Sequence, residues 1–542
     1  MKLKKIICLF AVVVLALALA SCGANNALAP DESGAIKSNG GFVAETADYV
    51  YFINGVESYS TEYKAGEVVK GALMRVKKSD FAELGTDKWA SATPETVVSK
   101  LIVSGDTTAG FYIYGNSDGR YYVYYAVPST EKDTTGKVKS DKLNFFRAEL
   151  DGTNESKKIT KEDYDSDVKF RFVQEGEKVY LVIYSTSLYV YDAEKGEKVY
   201  TYESEKEPID ELIFDEDNGG KIYFTIKPIN ENLYDKDDES AQQSKYQDAY
   251  EYSCGKSAPT VVLSGKGKYA VGEDNKRENN SESISFTGDT IDLLTHKGGY
   301  LYYSRTSLDS TVSQTVYARI KDGKTGWAYE EILNLGDKNA SSIFADGSYY
   351  LVSDDKVDIL YMSSTYGLMK YDYTKNSLLG DTDGEGDYGV TALYYSSDIA
   401  SCSILGVFGD YLYVYNTDGV YYRINYTELT SGAEVKATRI NKRAFGTSWY
   451  KAEVITVGTK QYLIGNYSDS VYGSYVYAID VKGAEDEYEE YKTALKDGED
   501  DSYYSEDAKA DELEKTKKTL LGVMTEKDGE SYEERITELK AE

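Results

Sequence analysis

The chain is poor in the residues from which many active sites and metal centres are built. It has 6 Pro, 3 Trp, 4 Cys and a single His among 542 residues. One imidazole cannot form a multi-histidine metal site, and no Cys-x-x-Cys pair supports zinc or thioredoxin-like chemistry. The single histidine, His296, precedes Gly298-Gly299 and is predicted to lie in a turn without a role. No nucleophile-elbow motif supports a Ser-His-Asp triad.

Basic residues are also in deficit. The chain has 61 Lys and Arg against 92 Asp and Glu, which gives a formal net charge of −31 at pH 7. A surface this acidic repels phosphate backbones and anionic lipid headgroups. We therefore expect no nucleic-acid partner, and the ordinary consequence of this charge is solubility rather than a specific cationic partner.

Long hydrophobic runs are missing except near the N-terminus. The apolar run of residues 6–20 follows Lys2, Lys4 and Lys5. It is shorter than the ~20 apolar residues that a membrane-spanning helix needs. A short basic segment followed by a short apolar run is typical of a signal peptide, which we assign to residues 1–21.

Leu19-Ala20-Ser21-Cys22 resembles the lipobox of bacterial lipoproteins. The resemblance implies cleavage before Cys22 and attachment of diacylglycerol to its thiol. The mature protein would then be exported and anchored to the bacterial membrane, on the cell-surface side in a host with one membrane. The alternative is a plain secretory signal followed by an incidental cysteine. Residues 22–41 lack periodicity, so we expect a flexible tether there.

Tyrosine is abundant, with 54 residues, and it favours the half-buried surface of a β-sheet. Residues 409–424 show the pattern most clearly. Tyr411, Tyr413 and Tyr415 alternate with apolar residues, and the turn sequence Asn416-Thr417-Asp418-Gly419 follows. This pattern predicts a β-hairpin, and the composition predicts an all-β fold.

Related tyrosine-containing strands recur along the chain. They are centred near Tyr51, Tyr122, Tyr180, Tyr223, Tyr302, Tyr350, Tyr413 and Tyr462. The mean spacing is roughly 59 residues, above the ~40–50 of compact propeller blades, and polar insertions account for the excess. Eight anchors favour an eight-bladed β-propeller over residues 42–483, with seven blades next. A β-sandwich array or two stacked β-domains is the alternative.

Many repeats continue with a second strand that ends in Asp or Asp-Gly, as in residues 143–154. This pattern resembles the TolB-like and YWTD-like β-propellers of bacterial lipoproteins of unknown function, although strict YWTD and WD signatures are absent. We expect a monomeric, non-enzymatic binding or scaffold protein of the cell envelope, with a protein or glycan partner and the membrane contacted through the Cys22 lipid. The alternatives are a carbohydrate-active enzyme with paired carboxylates in the channel, and an envelope-assembly scaffold.

One acidic segment could bind a metal ion. Asp381, Asp383 and Asp387 form the densest cluster of carboxylates and glycines, but an EF-hand-like loop would place Ala392 where Glu is required. We therefore favour a solvated turn without a cofactor and keep calcium as the alternative. The acidic run at residues 215–220 is a still weaker candidate for a calcium site.

Cys254 and Cys402 fall in different repeats, so we expect them to be buried and unbridged.

The pattern changes to a helical period after residue 483. Residues 484–542 are predicted to form an acidic tail of short helices with weak apolar stripes. We favour a tail that packs on the propeller or frays, and the alternative is a partner-binding arm.

Overall fold

A computed structural model describes residues 31, 33–54, 71–90, 94–100, 102–103, 110–130, 134, 141–150, 157–216, 219–227, 229–232, 243–265, 289–307, 315–333, 349–351, 358–363, 367–372, 390–417, 419–431, 435–440, 452–469, 473–486 and 521. These residues form eight antiparallel sheets that follow one another along the chain, and a separate two-stranded hairpin is inserted in the fourth. We call the sheets blades 1 to 8.

The first four blades have the following strands. Blade 1 contains β1 (Val43–Glu45), β2 (Tyr49–Ile53), β3 (Leu73–Lys77) and β4 (Glu95–Val98). Blade 2 contains β5 (Phe111–Gly115), β6 (Tyr121–Pro128), β7 (Lys142–Glu149) and β8 (Lys157–Lys158), and β9 (Tyr164–Asp165) also pairs with β7. Blade 3 contains β10 (Lys169–Glu175), β11 (Lys178–Tyr184), β12 (Leu188–Asp192) and β13 (Glu197–Tyr202). Blade 4 contains β14 (Ile209–Phe214), β15 (Lys221–Ile226), β18 (Asp248–Ser253) and β19 (Thr260–Ser264), with an inserted hairpin of β16 (Ile229–Asn232) and β17 (Gln243–Tyr246).

The remaining blades follow the same order. Blade 5 contains β20 (Asp289–Lys297), β21 (Tyr300–Ser307), β22 (Thr315–Lys321) and β23 (Glu331–Ile332). Blade 6 contains β24 (Tyr349–Leu351), β25 (Asp358–Ser363), β26 (Gly367–Asp372) and β27 (Val390–Tyr394). Blade 7 contains β28 (Ser403–Phe408), β29 (Tyr411–Tyr415), β30 (Tyr421–Asn425) and β31 (Thr438–Arg439). Blade 8 contains β32 (Glu453–Val457), β33 (Lys460–Asp469) and β34 (Gly473–Asp480).

The architecture is an eight-bladed β-propeller, and it confirms the predicted fold class. Each of the eight tyrosine anchors falls in a different blade. Seven of them lie in the second strand of their blade, and Tyr350 lies in the first strand of blade 6. The hairpin predicted from residues 409–424 is formed by β29 and β30, and Gly419 takes a φ of 79° in its turn, a conformation that glycine adopts without strain.

Helices are short in the described part of the chain. They are α1 (Asp87–Ala90), α2 (Tyr426–Ser431) and α3 (residues 481–486), together with 3₁₀ turns at Lys78–Glu83 and Trp327–Tyr329. Within these described residues, no helix is long and apolar enough to cross a membrane.

The core lies between neighbouring blades, where the inward-facing residues of two sheets meet. The ring is closed by one such cluster, which joins blade 8 to blade 1. In that cluster the ring of Tyr462 meets the ring of Phe81 edge to face at 5.1 Å, and the Tyr462 hydroxyl donates to the Phe81 carbonyl at 3.3 Å. Closure of the ring matters because it removes the exposed sheet edges that an open array would present.

Four blades share a charged packing unit at the interface with the next blade. The second strand carries Tyr-x-Tyr, and an arginine on the third strand stands directly opposite the second tyrosine. The pairs are Tyr51 with Arg75, Tyr124 with Arg147, Tyr302 with Arg319, and Tyr413 with Arg423. Each guanidinium covers the first tyrosine, with centroid distances of 4.0 Å to Tyr49, 4.7 Å to Tyr122, 4.0 Å to Tyr300 and 4.0 Å to Tyr411. A cation is thus held over an aromatic face, and it is buried in blades 1, 5 and 7.

Three other blades carry the opposite charge at the same position. Their second strands read Lys-x-Tyr, and the residue opposite the tyrosine is an acid: Tyr180 faces Asp192, Tyr223 faces Glu251, and Tyr462 faces Asp480. In blade 8 the lysine neutralises the acid directly, because Lys460 Nζ lies 2.7 Å from Asp480 Oδ2. We call the two kinds arginine blades (1, 2, 5 and 7) and acid blades (3, 4 and 8).

The predicted tail contacts the propeller through α3 and through Leu521. Glu485 in α3 pairs with Arg423 of blade 7, and both side chains are buried. The Leu521 backbone N–H donates to the Val476 carbonyl of β34 at 3.0 Å, and the Leu521 side chain joins the closing cluster. The domain boundary at residue 483 stays a prediction, but these contacts attach the residues beyond it to blades 7 and 8.

Candidate functional site

Among the residues that the structure describes, one cluster of His, Asp, Glu, Lys and Tyr side chains lies where blade 4 meets blade 5. Blade 4 supplies two residues of β15, one residue of β18 and the residue directly after β14, whereas blade 5 supplies one residue of β20 and the residue directly after β22. We call this cluster the blade 4–5 junction, and its members are Asp215, Lys221, Tyr223, Glu251, His296 and Asp322. One possible ligand atom from each of Asp215, His296 and Asp322 lies within 4.8 Å of the other two.

The turn position predicted for His296 was wrong. His296 is the next-to-last residue of β20, a strand of nine residues, and its exposed fraction is 0%. The Gly298-Gly299 turn begins only after Lys297, with φ values of 62° and 71° at the two glycines. The strand is extended to this point because β20 pairs with β21, with His296 opposite Leu301 and Lys297 opposite Tyr300. Asp215 adds a parallel bridge to His296 across the two blades.

Both ring nitrogens of His296 face carboxylates. Nδ1 lies 2.8 Å from Asp215 Oδ1, and Nε2 lies 2.7 Å from Asp322 Oδ1. The Nε2 contact is a hydrogen bond, and the charge of a second carboxylate 2.8 Å from Nδ1 further stabilises the imidazolium form. The geometry therefore favours a charged histidine in a site where its own side chain has no contact with solvent.

Tyr223 covers one face of this histidine. The two rings are nearly parallel, with an interplanar angle of 14° and centroids 5.0 Å apart. The Tyr223 hydroxyl donates to Asp322 Oδ1 at 3.1 Å, and Glu251 Oε2 is a second acceptor 3.2 Å from the same hydroxyl oxygen. Burial and the neighbouring carboxylates raise the pKa of the Tyr223 hydroxyl, so it stays a neutral donor.

Lys221 supplies the second cation of the junction. Its ammonium lies 3.2 Å from Asp322 Oδ2 and 3.9 Å from one oxygen of each of Asp215 and Glu251. With His296 protonated, the junction holds two positive and three negative charges. Its outer members keep some contact with solvent, since the exposed fractions of the Asp322 and Glu251 side chains are 32% and 26%.

The pKa shifts agree with this arrangement. Burial alone would lower the pKa of His296, but the hydrogen bonds and charges of Asp215 and Asp322 outweigh it and raise the pKa to about 9. Burial opposes ionisation of Asp322 as well, yet its contacts with His296 and Lys221 hold its pKa well below the usual value. At neutral pH the junction is thus a set of paired charges rather than an acid and a base poised to exchange a proton.

This arrangement suits a structural connection better than catalysis or metal binding. A general base needs a free lone pair within reach of a substrate, and His296 offers neither a free nitrogen nor an exposed atom. A metal ion on His296 would have to replace a carboxylate at a ring nitrogen, and the Lys221 ammonium already lies among the three carboxylates. The contacts join blade 4 to blade 5 beside an apolar cluster that both blades share.

A second group of carboxylates lies on the first strands of the same two blades. Glu211 in β14 accepts a hydrogen bond from the Leu293 backbone N–H at 2.7 Å. Burial, together with the nearby Asp292 and Asp210, raises the pKa of Glu211 to about 7 despite that hydrogen bond. Asp210 and Asp292 are exposed on these strands. This is the feature nearest to the paired carboxylates that a propeller glycosidase would use.

The residues predicted from the sequence have different outcomes. Cys22 and the calcium candidates Asp381, Asp383 and Asp387 lie outside the described residues, so their roles stay predictions. Asp215, noted only as part of a weak acidic run, is buried in the junction.

The prediction for the two remaining cysteines is confirmed. Cys254 and Cys402 are both free and buried, in blade 4 and directly before β28 of blade 7. Burial raises the pKa of each thiol to about 12.

Sequence reasoning missed Lys221, Tyr223, Glu251 and Asp322 as members of one cluster. A signal was present, because Lys221-Ile222-Tyr223 departs from the Tyr-x-Tyr of the arginine blades. The contact of Tyr223 with Asp322, however, spans 99 residues of chain. A single sequence does not reveal a pairing at that separation.

Comparisons with known proteins add little to this geometry. No family model matches the chain, and no curated protein matches it. Among solved structures, BamB from Moraxella catarrhalis is similar at 10% identity and a TM-score of 0.34, with 81% of this chain and 95% of that chain covered. The computationally designed Ika8 protein is similar at 9% identity and a TM-score of 0.30, with 67% and 92% covered. Likenesses this weak carry no argument about function.

Proposed function

We propose that the protein is a lipid-anchored, non-enzymatic β-propeller of the bacterial cell envelope that binds a protein partner. The observation that carries the proposal is the state of its one histidine. His296 is buried, and each of its nitrogens faces a carboxylate, so the cluster with the most catalytic residue types is committed to joining two blades. A rigid ring with its reactive groups held in pairs is suited to presenting surfaces to a partner.

The anchor is proposed from Leu19-Ala20-Ser21-Cys22. Mass spectrometry of the mature N-terminus should find diacylglycerol on Cys22, and a Cys22→Ala variant should be released from the membrane. A Cys22→Ala protein that is processed as before and stays in the membrane fraction would contradict this part of the proposal.

The partner surface is proposed on the outer strands. Among the described residues, the large hydrophobic side chains with the greatest exposure lie on or beside the fourth strands of four consecutive blades. They are Val199, Val261, Tyr329, Ile332 and Tyr395, with exposed fractions between 37% and 60%. Single exposed apolar residues are ordinary, but their shared position in blades 3 to 6 favours a protein interface over a glycan site.

A photo-crosslinking experiment tests this surface. Crosslinking residues at positions 261 and 332 in intact cells should capture one and the same protein, while position 157, exposed on β8 of blade 2, serves as the matched control. A Val261→Asp/Ile332→Asp variant should lose the partner in a pull-down. Specific binding on a glycan array, with no protein captured at either position, would favour the glycan alternative.

The enzyme alternative is supported by one observation, the carboxylate group around Glu211. A glycosidase needs a carboxyl that is still protonated near neutral pH, and the pKa of Glu211 is raised to about 7. Hydrolysis of an oligosaccharide that is lost in Glu211→Gln and kept in Glu177→Gln, an exposed turn position, would establish the enzyme reading. Our proposal predicts that the wild type, Glu211→Gln and Glu177→Gln are equally inactive across a panel of oligosaccharide substrates.

A further inference from the structure

The segment that leads into β1 enters the propeller from one defined face. The turns between first and second strands, such as residues 46–48 in blade 1 and residues 176–177 in blade 3, lie on what we call the entry face. Asp31 lies at this face, because the Thr46 hydroxyl donates to Asp31 Oδ2 at 2.5 Å and the Tyr51 hydroxyl donates to the same oxygen at 2.8 Å.

From Asp31 the chain runs inward along the channel side of blade 1. Lys37 and Glu45 exchange two backbone hydrogen bonds, at 3.0 and 2.8 Å. Because the N–H and C=O of one strand residue point to the same side, these bonds place Lys37 on the edge of β1 away from β2. That edge faces the centre of the ring, since β1 is the first strand of its blade and neighbouring first strands meet there, as Asp215 and His296 do.

The segment is fixed to two further blades before β1 begins. The Asn39 side chain donates to the Ile113 carbonyl at 2.8 Å and accepts from the Ile113 N–H at 2.8 Å, which ties it to β5 of blade 2. Gly40 has a φ of 92°, and a Cβ built there would lie 2.6 Å from the Tyr112 ring. A Cβ on Gly41 would lie 2.8 Å from Glu453 of blade 8. Residues 37–41 are thus packed among the first strands of blades 1, 2 and 8.

We propose that the entry face of the propeller lies toward the membrane, held in that orientation by the contacts of Asp31 at this face and by the packing of residues 37–41 in the channel. The inference rests on the proposed lipid at Cys22. Only the chain from Cys22 to Asp31 then separates the lipid from the propeller, and nine residues reach at most roughly 32 Å. A tether that short cannot bring the lipid around an eight-bladed ring to the opposite face, which is left for partners.

The chain allows a clean labelling experiment. Cys254 and Cys402 are buried with thiol pKa values raised to about 12, so they react poorly with maleimide in the folded protein. Glu177→Cys and Asp410→Cys place a dye on the entry face of blades 3 and 7, and both positions are exposed. Thr186→Cys and Thr417→Cys are the matched controls, exposed near the turns on the opposite face of the same two blades.

The measurement is energy transfer from each dye to a headgroup-labelled acceptor. The full-length lipidated protein is inserted in phosphatidylcholine vesicles that carry the acceptor lipid. Because a seven-residue strand such as β11 separates the faces by roughly 20 Å, transfer from positions 177 and 410 should exceed transfer from 186 and 417 by about twofold or more. Asn39→Ala, which removes both contacts with Ile113, should shrink that difference.

The outcomes separate this inference from the proposed anchor. Equal transfer from the two faces, or greater transfer from positions 186 and 417, would overturn the orientation while the anchor stands. No transfer from any position, with the protein as unbound as Cys22→Ala, would show that the anchor itself is wrong and would remove the orientation with it.

Discussion

Arginine blades and acid blades carry opposite charges on the third strand, at the position that faces the tyrosine of the second strand. In blade 5 the cation is Arg319 on the third strand, stacked on Tyr300 and paired with Glu331 at 2.6 Å. In blade 4 the third strand carries Glu251, and the cations come from Lys221 on the second strand and from His296 of the next blade. In blade 5 the arginine finds its counter-charge within its own blade, whereas in blade 4 part of the counter-charge comes from the neighbouring blade.

The difference has a consequence for pH. Arginine stays charged at all accessible pH values, so the arginine blades do not respond to pH through this cation. The blade 4–5 junction contains a titrating group instead. The blade 4–5 interface is therefore expected to be more sensitive to alkali than the interfaces of the arginine blades.

The largest effect is expected at blade 7, where the acid that pairs with the arginine comes from beyond the propeller strands. Glu485→Ala leaves Arg423 buried without its carboxylate, and loss of one partner of a buried pair costs about 3–5 kcal/mol. Chemical unfolding should show a destabilisation of that size. The double variant Arg423→Leu/Glu485→Leu should recover much of it, and a Glu485→Ala protein as stable as the wild type would refute the role given to α3.

The same contacts change what we expect from deletion of the tail. The weak apolar stripes predicted that removal of residues 484–542 would be tolerated. Because Glu485 and Leu521 both contact the propeller, we now expect the deletion to lower the melting temperature at least as much as Glu485→Ala does. A deletion that leaves the melting temperature at the wild-type value would contradict this expectation.

The second effect is the pH dependence of the junction. The pKa of His296 is raised from 6.5 to about 9 in the folded protein. A raised pKa means that the folded state binds the proton more tightly, so this stabilisation is complete below pH 6.5 and is lost as the pH rises through 9. The shift corresponds to about 3 kcal/mol. Unfolding free energies at pH 6 and pH 9.5 should differ by that order, and His296→Gln should remove this part of the difference.

The third effect compares two lysines at the same position of two acid blades. The exposed fraction of the Lys221 side chain is 17%, and that of Lys460 is 62%. Lys221→Met should cost about 1–3 kcal/mol because it leaves partly buried carboxylates without a cation. Lys460→Met should cost less than about 1 kcal/mol, as exposed ion pairs do. Equal costs would show that burial does not distinguish the two blades.

The smallest effect concerns the aromatic face in an arginine blade. Tyr300→Leu removes the ring beneath Arg319 but keeps the ion pair with Glu331. We expect a loss of about 0.5–2 kcal/mol, with Tyr300→Phe close to the wild type because the ring is retained. If Tyr300→Phe were as destabilising as Tyr300→Leu, the hydroxyl rather than the ring would be responsible.

The blade number could be predicted because it depends on a local pattern. Each blade repeats a tyrosine-containing strand, and the alternation of side chains is visible within a few residues, as in Tyr411–Tyr415. The junction could not be predicted because its members are far apart in sequence. The glycines after Lys297 form the turn between β20 and β21, and nothing local showed that His296, near the end of β20, also bridges to Asp215.

The segment before β1 shows the same limit. Residues 22–41 were predicted to be a flexible tether because they lack periodicity. Residues 37–41 are held by single polar contacts, such as those of Asn39 with Ile113, and by close approaches at Gly40 and Gly41. Contacts of this kind leave no periodic pattern. The limits of the tether stay a prediction, since the described part of the chain begins at residue 31.

The central claim is that the one histidine of the chain is a charged structural link between two blades, and NMR titration tests it directly. A protein without a histidine tag gives a single set of imidazole signals, because the chain contains 1 His. We predict a titration midpoint near pH 9, with both ring N–H protons protected from exchange at neutral pH. A midpoint at or below the ordinary value of about 6.5, with a ring N–H that exchanges freely, would contradict the account and return His296 to the candidates for catalysis.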